Sequence, residues 1–73
     1  MIAEELSGQH IGRTIGFTWY FPNSYVEAYV KGELREVHHT AQEWLFVHLA
    51  GDESQGDKTE FEIERGAMIA LVD

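Results

Sequence analysis

Residues 26–34, VEAYVKGEL, place Val26, Ala28, Val30, Gly32 and Leu34 on one side of an extended chain and Glu27, Tyr29, Lys31 and Glu33 on the other. A period of two is that of a half-buried strand, one face packed and the other wet. A helix competes for the same residues. Ser24 and Glu27 have capping-box spacing, and Val30, Leu34, Val37, Ala41, Trp44 and Leu45 recur at helical intervals. That helix would carry Gly32 in its interior and a load of β-branched and aromatic residues, so the alternation favours the strand. The phase of the alternation changes between Leu34 and Val37, which predicts a bulge or bend near Arg35 and Glu36.

Working outward, four further segments read as strands. In TEFEIERG (59–66), Phe61 and Ile63 alternate with Glu60, Glu62 and Glu64, which should face water. EWLFVHLAG (43–51) is a compact apolar run, and the polar segment GDESQGDK (51–58) should join the two as a hairpin. AMIALVD (67–73) reads as a short apolar strand with an exposed edge. In HIGRTIGFTWYF (10–21), Ile15, Phe17 and Trp19 share a face, and Pro22, Asn23 and Ser24 end the strand. Ahead of it, IAEEL (2–6) has the makings of one or two helical turns. Five strands in so small a chain predict an all-β fold, a closed or nearly closed five-stranded barrel that removes its own edges.

A chain of 73 residues holds one domain, residues 1–73, and its apolar fraction of 44% suffices for a core. Cysteine is absent, so neither disulfides nor thiolate chemistry contribute. No apolar run approaches the roughly 20 residues of a membrane span, and Met1 to Leu6 is too short and acidic for a signal peptide, so a soluble, cytoplasmic protein without membrane contact is expected. Thirteen acidic residues against five basic ones give a net charge of −8, which repels a phosphate backbone at long range. DNA is not an expected partner; a protein with a basic surface is.

The segment GELREVHHTAQEWLFV (32–47) carries Gly32, Leu34, Val37, His38, Ala41 and Gln42, and RGAMIALV (65–72) carries Arg65, Gly66, Ile69 and Val72. In this pattern the chain resembles the Sm-like (LSm) family of the SH3-like small barrels, with His38 and Gln42 standing where that family has Asp and Asn. The resemblance extends over most of the chain, including a helical turn ahead of a Gly-containing first strand in IAEELSGQHIGRTIGF (2–17). It implies a small barrel, assembly of identical subunits into a ring, and a single-stranded RNA site in which Arg65 is retained. Gln42 would then hydrogen-bond a base edge and His39 stack on one.

Six of the nine aromatic residues lie in GFTWYFPNSYVEAY (16–29). With Phe17 and Trp19 pointing inward, Tyr20, Phe21, Tyr25 and Tyr29 become candidates either for a cap on the barrel or for an exposed docking patch. Beside them Glu60, Glu62 and Glu64, with Glu27 and Glu33, would steer a basic partner. This predicts an acidic protein-binding barrel, a small regulator or inhibitor of a nucleic-acid-binding protein. The alternatives are the RNA-binding ring and a structural role in a larger particle. No enzyme is expected: Ser7, Ser24 and Ser54 sit in turn-like contexts, no phosphate loop is present, and the glutamates form a surface ladder. No cofactor or metal is expected either, because His38 and His39 point to opposite faces of a strand, and ligands would have to converge from separate strands.

Overall fold

The computed structural model describes residues 1–51 and 57–72. Five strands form one antiparallel sheet: β1 (Thr14–Tyr20), β2 (Glu27–His39), β3 (Trp44–Ala50), β4 (Thr59–Glu64) and β5 (Ala70–Leu71), in the order β4-β3-β2-β1-β5. The fold is all-β, as the alternation in VEAYVKGEL requires, and the competing helix is not formed. Ala28 and Val30 are half-buried and Gly32 and Leu34 buried, while Glu27, Tyr29 and Lys31 are exposed.

β2 is the spine of the molecule. Its first half pairs with β1, Glu27 opposite Tyr20 through Glu33 opposite Thr14, and its second half pairs with β3. The register shifts between Leu34 and Glu36, leaving Arg35 as the extra residue of a β-bulge where the sequence placed one. The bulge resets the pleat, so that Val37 faces the core and Glu36 and His38 face out. Gly32 sits at the same bend because the chain passes close behind it: a Cβ there would lie 3.0 Å from the Ala50 carbonyl oxygen.

The sheet is not closed, which corrects the expectation of a barrel without free edges. β5 is only two residues long and pairs with β1 at Ile15 and Gly16 alone. The residues just before it bond instead to the start of the chain. Ala3 N–H donates to the Ala67 carbonyl (2.8 Å), Glu4 N–H to Arg65 (3.0 Å) and Ile69 N–H to the Met1 carbonyl (2.7 Å), with an isolated bridge between Ile2 and Met68. The apolar strand expected over 67–73 is thereby shortened. The helical turn expected in IAEEL is a 3-10 turn, Ala3–Glu5, and a second follows at Gly8–His10.

This N-terminal segment is structural. Leu6 and Ala3 are buried in the same core as Ile15, Phe17, Leu34, Leu45 and Val47. The His39 ring donates from Nε2 to the Leu6 carbonyl at 2.7 Å, tying the segment to the end of β2. β3 and β4 pair from Trp44–Glu64 to Leu49–Thr59, forming the expected hairpin; residues 52–56 of its connection, Ser54 among them, lie outside the described residues. No helix among the described residues is long and apolar enough to cross a membrane.

Candidate functional site

The aromatic stretch divides by pleat. Phe17 is buried and packs edge-to-face on Phe61 at 5.8 Å, and half-buried Trp19 packs the same way on Phe61 (5.6 Å) and on Phe21 (4.8 Å). Phe21 thus covers one side of Trp19 while leaving much of its own surface open. The three tyrosines are outside: Tyr20 is 59% exposed, Tyr29 62% and Tyr25 92%. Tyr25 also holds a left-handed backbone (φ 58°), as does Asn23 (φ 66°), in the turn that the Phe21 N–H closes onto the Val26 carbonyl at 2.8 Å. An aromatic side chain held almost wholly in water on a strained backbone is unfavourable in the isolated domain.

Because β5 stops at Gly16 on one side of β1, that side of residues 18–20 has no strand paired to it among the described residues, and the outer side of β4 has none either. Between these two edges lies an open groove of about 410 Å³. Trp19 and Ile63 line it, Tyr20 and Thr18 border it on the β1 side, Glu62 and Glu64 on the β4 side, and Ala67 and Met68 at one end. Met68 is 70% exposed. The groove therefore brings one tyrosine and two glutamates of the expected docking set to a common cleft with an aromatic wall.

The remaining members of that set are placed apart. Tyr25 and Phe21 belong to the β1–β2 turn, and Glu27 stands opposite Tyr20 in the β1–β2 ladder. Glu33 is engaged by Arg35 Nε at 2.6 Å, so its charge is partly neutralised. Glu60 is engaged by His48, Nε2 to Oε2 at 3.1 Å, and leaves Glu62 and Glu64 as the two ladder glutamates turned to the groove.

The RNA-type set is divided as well. His39 is committed to Leu6. Gln42 is exposed in the turn between β2 and β3, where its N–H bonds the Thr40 hydroxyl at 3.0 Å. Arg65 lies in the turn after β4 and shares a second open groove, about 450 Å³, with Glu43, Trp44, Glu64 and Gly66. The Arg65 N–H donates to the Glu43 carbonyl at 3.0 Å, so the turns carrying Gln42 and Arg65 do meet.

A further cluster on the outer face of β2 and β3 was missed from the sequence. Glu36 stands opposite His48 in register, and His38 lies one position along the same face. Glu36 Oε1 is 3.0 Å from His38 Nε2, and the two imidazoles meet edge-to-face at 5.3 Å. Lys58 bonds the other oxygen, Oε2. The Lys58 ammonium, and after it His38, hold the Glu36 carboxyl well below its ordinary value of 4.5, at about 2. His38 and His39 do diverge, but His48 from the neighbouring strand converges on His38 and Glu36. The signal was present: counting back from the β2–β3 turn, with His39 opposite Leu45, puts His48 opposite Glu36 before the bulge at Arg35 is reached.

No protein-family model, curated protein or solved structure matches this chain.

Proposed function

We propose that this chain is a non-enzymatic, acidic protein-binding domain that takes an extended basic segment of its partner into the groove between β1 and β4. The observation that carries this reading is the meeting of two unpaired sheet edges with Tyr20, Glu62 and Glu64 at one aromatic-walled cleft. An extended peptide laid along either edge gains main-chain hydrogen bonds, and its alternate side chains reach Trp19 and the glutamates. Glu62 and Glu64 favour Lys or Arg there, and a net charge of −8 speeds the approach of a basic partner. The exposed Tyr25 and Tyr29 add amphipathic contact area beyond the groove. A partner whose basic surface normally contacts nucleic acid would be blocked by such binding, which makes the domain a small regulator or inhibitor. The test is selection from a random peptide library on the immobilised chain. Recovered sequences rich in Lys or Arg alternating with apolar residues support the reading; recovered sequences without basic enrichment reject it.

A second reading rests on the contact between the turns that carry Gln42 and Arg65. In an Sm-like ring these two residues, with Trp44 as a stacking surface, would hold an unstacked base of single-stranded RNA. Glu43 and Glu64 line the same groove and oppose phosphate, which places this reading second. Under it, Arg65→Ala abolishes binding of a short oligouridine by an oligomeric wild-type protein; a monomer with no affinity for RNA rejects it.

A further inference from the structure

The outer-face cluster on β2 and β3 is independent of the groove. We propose that Glu36, His38 and His48 form a binding site for a divalent transition-metal ion of the zinc type, with the fourth position open to water. One donor atom from each of Glu36, His38 and His48 lies within 4.8 Å of the other two. One of the spacings is tighter still, His38 Nε2 to Glu36 Oε1 at 3.0 Å. Ligands at 2.0–2.1 Å from a tetrahedral zinc are separated by about 3.3 Å, so this pair sits near the edge length of such a polyhedron before any ion enters.

The chemistry of the donors selects the class of ion. Two imidazoles with a carboxylate suit zinc, nickel or copper, whereas magnesium and calcium want oxygen alone. All three donors stand on paired strands, so their positions are set by backbone register, Glu36 opposite His48 and His38 at the next same-face position of β2. The bulge at Arg35 matters here because it turns Glu36 and His38 to the face that His48 occupies. The other two histidines are engaged in local structure: His10 Nδ1 accepts the Ser7 N–H at 3.0 Å, and His39 holds Leu6.

Lys58 is the element that opposes the ion. It occupies Glu36 Oε2 and places a positive charge beside the site, so a dication entering between the imidazoles must displace it or tolerate it. Removal of the lysine charge therefore strengthens binding, by about tenfold.

The experiment is titration of the tag-free chain, residues 1–73, with zinc chloride by calorimetry, repeated with cobalt(II) to read coordination geometry from its visible absorption. The expected result is one ion per chain, a tetrahedral cobalt spectrum, at least about tenfold weaker binding in His38→Ala and in His48→Ala, and tighter binding in Lys58→Met. His38 is exposed, so its variant keeps the fold even if truncating half-buried His48 perturbs it. Absence of zinc uptake by the wild-type chain overturns the proposal, as does uptake that His38→Ala leaves unchanged.

Discussion

The Tyr29 side chain lies across Gly16: a Cβ placed on Gly16 would fall 2.1 Å from the Tyr29 hydroxyl oxygen and 2.6 Å from Cζ. Gly16 is buried beneath the ring although its position on β1 faces out, and Tyr29, on β2 opposite Thr18, reaches it diagonally. The tyrosine thus covers backbone that a glycine leaves bare. A double-mutant cycle measures this. Gly16→Ala should be nearly neutral in the wild-type chain, because the gain of about 0.5–1 kcal/mol from replacing a strand glycine is offset by displacing the ring. With Tyr29→Ala already present, the same change should stabilise by about 0.5–1 kcal/mol in urea denaturation. Equal effects in both backgrounds would mean that the two residues are not coupled.

The N-terminal segment closes the core that the open sheet leaves uncovered. Leu6→Ala should cost about 2–5 kcal/mol, as for other fully buried leucines, a loss comparable with the whole stability of so small a domain. Thermal or urea denaturation reads it. A cost well under about 1 kcal/mol would indicate that the segment only rests on the sheet.

Glu36 gives the domain an acid-sensitive contact. Its carboxyl is depressed from 4.5 to about 2, so the stabilising contribution is complete above the unfolded value and is lost as the pH falls through the folded one. Carboxyl-carbon NMR should show Glu36 titrating near pH 2, and Lys58→Met should move the midpoint back toward 4.5. A wild-type midpoint already at 4.5 would show that the lysine contact does not persist in solution.

Replacing Glu60, Glu62 and Glu64 together by glutamine should slow association with a basic peptide by about tenfold or more at low salt and have little effect at high salt, where the field is screened. Stopped-flow fluorescence of Trp19 or of a labelled peptide measures the rate. An unchanged rate at low salt would remove the glutamates from the encounter step.

Strand identity was legible because VEAYVKGEL and TEFEIERG alternate without interruption, and the bulge was legible because Leu34 and Val37 cannot share a face in a regular strand. The division of the aromatics followed from the same pleat: Phe17 and Trp19 pack inward, and Tyr20 and Tyr29 are left outside. Closure of the sheet was not legible. AMIALVD is as apolar as a full edge strand, and nothing in its composition reveals that residues 65–69 bond to the chain's first residues instead. The groove exists because of that diversion, so its meeting of Tyr20 with Glu62 and Glu64 was beyond reach of a pattern along the chain. The histidine cluster failed for a related reason. Its members are neighbours across a ladder, with His48 opposite Glu36, so they are close in space while twelve residues apart in the chain.

Whether the groove between β1 and β4 receives an extended basic segment is decided by amide chemical-shift mapping of the labelled chain, titrated with a peptide recovered by the library selection. The perturbed amides should concentrate at residues 18–20 and 62–64, Glu62→Gln with Glu64→Gln should weaken binding, and added salt should weaken it further. Perturbations confined to the turns around Glu43 and Arg65, or binding indifferent to both glutamates, would contradict docking in the groove.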